Sequence, residues 1–139
     1  MKQTLFELDD KIKESSIIIK NNFQEEKIIL QLDSQRTFRV FENIIINAAK
    51  YSMPNSRVYL DIINNESDVQ IIMKNMSAEE IKFNADEIVE RFVRGDKSRN
   101  TKGSGLGLAI AKSFVELQGG SFKIEVDGDL FKVIMCFNK

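Results

Sequence analysis

Two pairs of short apolar segments, each joined by a brief polar turn, most constrain how this chain can fold. Within the segments apolar and polar residues alternate, which is typical of strands that bury one face. The polar turns at 64–67 and 127–129 are short enough to close hairpins. The predicted strands cover residues 58–63, 69–74, 121–126 and 130–137.

The best-defined helix of the sequence begins at Ser34, the predicted N-cap. Apolar residues recur on one broad face over 38–49, and the Pro-Asn pair at 54–55 stops the helix. A second amphipathic helix is predicted over 106–117, where the Gly-Gly pair at 119–120 supplies a left-handed stop.

Four further segments have weaker patterns. Apolar residues at roughly helical spacing between Leu5 and Ile19 predict an N-terminal helix, and the apolar run 27–32 predicts a strand. A short helix is expected at 86–92, whereas the charged segment 94–102 is expected to be a mobile loop.

The composition limits the class of protein. The 139 residues, with 42% hydrophobic content, suit one core and hence a single domain over 1–139. A formal net charge of −1 argues against a nucleic-acid-wrapping surface. With one cysteine, Cys136, and no signal peptide or membrane-spanning run, a cytoplasmic location is expected. The predicted fold class is α+β, a two-layer α/β sandwich of about five mixed strands covered by about three helices.

A glycine-rich stretch stands directly before the 106–117 helix. Three glycines within five residues permit close backbone approach, and the helix N-terminus favours an anion, so a phosphate site is predicted. An ordinary flexible loop is the alternative. Neither a dinucleotide-binding fingerprint, which must follow a strand directly, nor a P-loop fits the sequence. The stretch consists of Gly103, Ser104, Gly105, Leu106, Gly107 and Leu108.

Two asparagines interrupt the apolar surface of the first long helix. Asn43 and Asn47 are four residues apart and share one helix face, with Lys50 one turn further on. Amides on such a helix need partners, and an Asn oxygen suits Mg²⁺ while a Lys can neutralise phosphate. The alternative is that both amides bond to neighbouring backbone groups and that Lys50 is solvated.

Together these stretches resemble the N box and G2 box of the GHKL ATPases, most closely the catalytic domain of sensor histidine kinases. The segment 90–99 resembles the F box and lid of that family, and 103–120 resembles its G2 region with the following helix. The resemblance covers 5–137 and implies a Bergerat fold that binds ATP and Mg²⁺ under a flexible lid.

The resemblance implies a role for individual positions. Asn47 would be the Mg²⁺ ligand, with Asn43 and Lys50 close to the phosphates and Tyr51 packed beside the adenine. Arg94 would reach the terminal phosphate and stabilise charge during phosphoryl transfer. Asn47, Lys50 and Arg94 are thus the expected catalytic residues.

One position departs from the family pattern. Sensor kinases usually carry D-x-G-x-G after the second strand, with the Asp accepting the adenine amino group, but here Asn75 stands in the Asp position and the glycines are missing. An amide oxygen still accepts this hydrogen bond, but more weakly, by about 1 kcal/mol. We therefore expect weak to moderate nucleotide affinity.

The chain contains no histidine. The resemblance therefore implies that the phosphoacceptor histidine lies on a separate dimerisation domain of a longer sensor kinase anchored in the cell membrane, with a response regulator as further partner. The isolated domain is expected to be monomeric, without nucleic acid or direct membrane contact. The alternatives are a noncatalytic nucleotide-binding regulatory module, or pseudokinase, and a serine kinase of the anti-sigma type.

Overall fold

The computed structural model describes residues 2–22, 30, 32–78 and 107–139, with side chains from residue 5 onward. In these residues the helices are α1 (Lys2–Glu7), α2 (Asp9–Glu14), α3 (Ser34–Tyr51) and α4 (Gly107–Leu117). The strands are β1 (Ile18–Asn22), β2 (Arg57–Asn64), β3 (Asp68–Met76), β4 (Ser121–Asp127) and β5 (Leu130–Asn138). The predictions for 27–32, in large part, and for 86–92 and 94–102 lie outside the described residues.

The five strands form one mixed sheet in the order β1-β2-β3-β5-β4. β1 pairs with β2 in parallel, and every other neighbouring pair is antiparallel. The β2–β3 and β4–β5 pairs are the two predicted hairpins, and they meet through β3 and β5, where Ile72 lies opposite Ile134. The predicted α+β class and mixed sheet are confirmed.

The core lies between one face of this sheet and the helices. Alternate residues of the central strands point into it, among them Ile71 and Met73 of β3 and Val133 of β5. From α3 the buried side chains include Ile44 and Ile45. Burying each such side chain stabilises the fold by about 1.5–3 kcal/mol, so packing against the sheet determines which face of α3 is left for other uses.

α3 and α4 lie side by side and run in opposite directions. At the end of α4, the Gln118 Oε1 accepts a hydrogen bond from the Asp33 N–H at 2.8 Å, just before α3 begins. The Gln118 Nε2 donates to the Phe114 carbonyl oxygen at 3.1 Å and to the Thr37 Oγ1 at 3.3 Å. The C-terminus of α4 is thereby fixed to the N-terminus of α3.

Two sequence predictions about the N-terminal half are wrong. The helix expected to continue to Ile19 ends at Glu14, and Ile18 and Ile19 belong to β1. Consecutive β-branched isoleucines favour a strand, and Ser16, with a φ of 60°, breaks the helical path before them. The N-cap of α3 is Asp33 rather than Ser34, because the Asp33 Oδ1 accepts from the Arg36 N–H at 3.0 Å.

Candidate nucleotide site

Three of the predicted site residues form a stripe along the second half of α3. Asn43 and Asn47 are half-buried, and Lys50 is exposed one turn further on. The Lys50 ammonium lies 5.2 Å from the centroid of the neighbouring Tyr51 ring. The sheet-facing side of α3 is apolar, so the stripe, called the amide stripe below (Asn43, Asn47 and Lys50), flanks the core rather than entering it.

The amide stripe begins where α4 starts. A Cβ added to Gly107 would lie 3.6 Å from both the Cγ and the Oδ1 of Asn43, so the described start of α4 is next to that amide. Tyr51 is eight residues beyond Asn43, which corresponds to roughly 12 Å of helix. Since α4 runs antiparallel to α3, the positive end of its dipole is directed toward the part of the stripe that holds Asn47 and Lys50.

Three buried polar atoms near these elements have no hydrogen-bond partner in the described part of the chain. They are the Asn43 Nδ2, the Ser52 Oγ and the Asn75 Oδ1. A fourth such atom, the Asn64 Oδ1, lies at the opposite end of the β2–β3 hairpin. A buried polar group without a partner costs about 1–3 kcal/mol. A ligand that extended from the start of α4, next to Asn43, to the C-terminal end of α3, next to Ser52 and Asn75, would supply these partners.

The segment after α3 is attached to the end of β3. Ser52 and Ser77 form an isolated antiparallel bridge, and the Met53 N–H donates to the Met76 carbonyl oxygen at 2.9 Å. Asn75 lies near the end of β3 and Ser77 directly follows that strand, two residues further on, so in extended backbone the two side chains point to the same side of the sheet. Ser52 and Asn75 therefore lie together at the C-terminal end of α3.

The described candidate residues lie on the second half of α3, at the end of β3 and at the start of α4. Asn43, Asn47, Lys50 and Tyr51 come from α3, Asn75 from β3, and Gly107 and Leu108 from α4. The Leu108 side chain is only 2% exposed and packs in the core, so only its backbone is available to a ligand. Arg94 and the residues 103–106 lie outside the described part of the chain.

Two residues near the candidate site, Ser52 and Gln118, could not be predicted from the sequence. A serine after a helix is common, and only its burial and its bridge to Ser77 make Ser52 a candidate for the site. Gln118 looks like one more polar residue before a glycine stop, although it positions α4 along α3 through three hydrogen-bonded neighbours. Neither role has a local sequence signal.

Within the described part of the chain, His, Cys, Asp and Glu side chains form no group of three or more that could hold a metal ion. No described helix has the length and apolar character required to cross a membrane.

The fold of the chain is similar to that of solved histidine kinase structures. The catalytic domain of histidine kinase ThkA superimposes with a TM-score of 0.81 at 21% identity, over 99% of this chain and 89% of that one. The mycobacterial sensor histidine kinase MprB gives a TM-score of 0.76 at 22% identity, over 99% and 90% of the two chains. At this level of identity the likeness concerns the fold.

The sequence comparison then defines the family. Residues 32–137 match the family described as histidine kinase-, DNA gyrase B-, and HSP90-like ATPase. The chain belongs to this family, and the GHKL resemblance stated above is confirmed.

Within this family, the chain is similar in sequence to sensor kinases. The chain is 35% identical over 112 residues to the sensor histidine kinase WalK of Bacillus subtilis, covering 78% of this chain. It is 32% identical over 127 residues to the sensor protein VanSC of Enterococcus gallinarum, covering 90% of this chain. The chain spans only 18% of the first relative's length and 35% of the second's. It therefore corresponds to the ATP-binding catalytic part of sensor histidine kinases.

Proposed function

We propose that this chain binds Mg-ATP and donates the γ-phosphate to a histidine on a separate dimerisation domain, within a two-component sensor kinase. The observation that carries the proposal is the position of the amide stripe of α3 at the N-terminus of α4 in a chain of this ATPase family. In the transfer, the bond between the γ-phosphorus and the bridging oxygen breaks, a bond to a histidine nitrogen forms, and ADP leaves.

The donor set on α3 fits Mg²⁺. Asn47 offers a half-buried amide oxygen, and Mg²⁺ typically takes one or two protein oxygens and completes its shell with water and phosphate oxygens. Bound there, the ion would neutralise charge on the phosphate oxygens. Lys50 supplies a cation one turn further along, and the start of α4 at Gly107 directs its helix dipole toward the same phosphates.

The remaining contacts are those that the family resemblance implies, with Asn75 in the position of the family's Asp. Asn75 would accept a hydrogen bond from the adenine amino group, and Tyr51 would pack beside the base. Arg94 and the stretch 103–106 would contact the phosphates. The histidine kinase ShkA, whose structure contains AMPPNP, has the same fold as this chain with a TM-score of 0.78, which supports a nucleotide ligand.

The wider system is part of the proposal. The chain has no histidine of its own, so the phosphoacceptor must come from the dimerisation domain, and a response regulator would receive the phosphate next. We place the domain in the cytoplasm, as a monomer when isolated, and the full-length sensor in the cell membrane.

Phosphotransfer tests the proposal directly. The purified chain is mixed with a separately prepared dimerisation domain from the same sensor, Mg²⁺ and γ-labelled ATP, and acid-labile, base-stable label on the acceptor is measured. Asn47→Asp should reduce the labelling at least about 100-fold, because it changes the oxygen ligand and adds negative charge beside the phosphates.

Asn22→Asp serves as the matched control, since Asn22 is exposed on the edge strand β1. The control should label the acceptor as the unaltered chain does. Nucleotide binding without any labelled histidine would instead support the pseudokinase alternative, and label on serine would support an anti-sigma type of kinase.

A further inference from the structure

We infer that the base-recognition end of this site is a neutral pair, Ser52 and Asn75, which accepts 6-oxopurine nucleoside triphosphates as well as ATP. The inference rests on the proposed nucleotide function of the same site and specifies its substrate class.

Burial separates these two side chains from the other polar residues. Among the described residues, three polar side chains are buried: Thr37 at 9% exposure, Ser52 at 6% and Asn75 at 3%. Thr37 exchanges hydrogen bonds with Gln118. The Ser52 Oγ and the Asn75 Oδ1 have no partner among the described residues, so each would gain one from a bound ligand.

The backbone brings the two side chains to one place. Ser52 lies directly opposite Ser77 in an antiparallel bridge, and Asn75 is two residues before Ser77. Ser52 and Asn75 are therefore diagonal neighbours with the same orientation, a relationship that separates Cα atoms by roughly 7–8 Å. Side chains at that spacing can both reach adjacent positions on one edge of a flat heterocycle.

Both groups can donate as well as accept. An amide presents an oxygen acceptor or, after turning over, an NH₂ donor, and a serine hydroxyl rotates to do either. Adenine has a donating amino group at position 6 and an accepting nitrogen at position 1, whereas a 6-oxopurine has the reverse order. Asn75 and Ser52 can satisfy either order by exchanging their roles.

A carboxylate at position 75 would not have this freedom. An ionised Asp only accepts, so it satisfies the adenine amino group but faces the carbonyl oxygen of a 6-oxopurine with like partial charge. The Asn in place of the family's Asp thus weakens the discrimination between the two bases, in addition to any effect on ATP affinity.

Inosine triphosphate is the sharpest probe, because it differs from ATP only at positions 6 and 1. Calorimetric titration of the chain with Mg²⁺ and either nucleotide should give dissociation constants within about tenfold of each other, since one neutral hydrogen bond replaces another. In Asn75→Asp, the ratio of the two constants should shift about 30- to 100-fold toward ATP. Ser52→Ala should weaken both nucleotides by about three- to tenfold.

Asn64→Asp is the matched control, because Asn64 also holds an unpartnered buried amide oxygen but at the far end of the β2–β3 hairpin. Asn64→Asp should leave the ratio of the dissociation constants for ATP and inosine triphosphate unchanged. Circular dichroism checks that every variant is folded. If ATP binds but inosine triphosphate does not, the inference fails and the proposed function stands. If neither nucleotide binds, the proposed function itself fails. An unchanged ratio in folded Asn75→Asp would exclude Asn75 from base selection.

Discussion

Gly107 lies against Asn43, so closely that a Cβ on the glycine would rest 3.6 Å from the Cγ and the Oδ1 of the asparagine. This distance is an ordinary van der Waals contact, and an alanine would therefore fit without displacing either helix. The added methyl group would, however, occupy the surface between the start of α4 and the amide stripe, where the phosphates are proposed to bind.

Gly107→Ala should therefore separate stability from binding. We expect the free energy of unfolding to change by less than about 1 kcal/mol, since alanine is the better helix former. The dissociation constant for Mg-ATP should rise about tenfold, measured by calorimetry, because the methyl group hinders close approach of the phosphate. Ser113→Ala, on the exposed side of α4, is the control and should leave ATP binding unchanged. Unfolding of Gly107→Ala would contradict the observed packing.

Gln118 should stabilise the antiparallel arrangement of α3 and α4. Its amide bonds to the Asp33 N–H, to the Phe114 carbonyl and to the Thr37 hydroxyl, so Gln118→Ala should lower the free energy of unfolding by about 1–2 kcal/mol. A double-mutant cycle with Thr37→Val in urea should give a coupling energy of at least about 0.5 kcal/mol. Glu116→Ala, an exposed neighbour, should cost less than about 0.5 kcal/mol. Strict additivity of the pair would show that the Thr37 contact contributes nothing.

The N-cap of α3 provides a prediction on two adjacent residues. The Asp33 side chain accepts from the Arg36 N–H at 3.0 Å, so Asp33→Ala should cost about 1 kcal/mol in urea unfolding. Ser34 is the first residue of α3 and is exposed, and Ser34→Ala should change the stability by less than about 0.5 kcal/mol. A larger loss of stability in Ser34→Ala than in Asp33→Ala would instead identify Ser34 as the N-cap.

The sequence predicted the elements whose patterns are local. The β2–β3 hairpin follows from alternation on both sides of a polar turn, and the long α3 follows from one broad apolar face. The sequence could not show whether Asp33 or Ser34 is the N-cap of α3, because both residue types cap helices and only the direction of the side chain distinguishes them. The sequence also did not predict the edge strand β1, because the residues up to Ile19 continue the roughly helical spacing of the N-terminal segment and the partner strand β2 begins at Arg57, far along the chain.

In the candidate site, too, the sequence predicted the local features but not those that depend on tertiary packing. Spacing alone placed Asn43, Asn47 and Lys50 on one face of a helix, and the structure agrees. That α4 begins beside Asn43 depends on packing between segments far apart in sequence. The burial of Ser52 depends on its bridge to Ser77, which no local pattern indicates.

Gly120 should be far less tolerant of substitution than Gly119. A Cβ at Gly120 would meet the Cys136 carbonyl oxygen at 2.5 Å and the Val115 Cγ1 at 3.0 Å, and backbone cannot move aside cheaply. Gly120→Ala should therefore cost about 3 kcal/mol, near the upper end for overpacking. At Gly119 the surroundings are open but φ is 79°, so Gly119→Ala should cost about 1–2 kcal/mol from backbone strain alone.

Asparagine substitutions distinguish the two causes. Asn tolerates a positive φ better than Ala does, so Gly119→Asn should be milder than Gly119→Ala in urea unfolding. At Gly120 the larger side chain should be worse than alanine. Equal effects of Ala and Asn at both positions would contradict this assignment.

The thiol of Cys136 should react slowly at mildly alkaline pH. Burial raises its pKa, and the hydrogen bond and negative charge of Asp68 raise the pKa further, while Ser121 acts in the opposite direction. Because the thiolate is the reactive form, alkylation by iodoacetamide at about pH 8 should be slower than for free cysteine. The rate should continue to rise above the pH at which free cysteine reaches its plateau.

Asp68→Asn should lower the Cys136 pKa without restoring it fully, because the effect of burial remains. The alkylation rate at about pH 8 should then increase. The control is Asp127→Asn, which should have no effect because Asp127 ends β4, whereas Cys136 lies opposite Ser121 at the start of that strand. The raised pKa of Cys136 also makes the stability of the fold depend on pH. The unfolded chain releases the thiol proton first, so this group's contribution to stability is present below the unfolded pKa and is lost as the pH rises toward the folded pKa. A rate profile for Cys136 that matches free cysteine would show that neither burial nor Asp68 acts on this thiol.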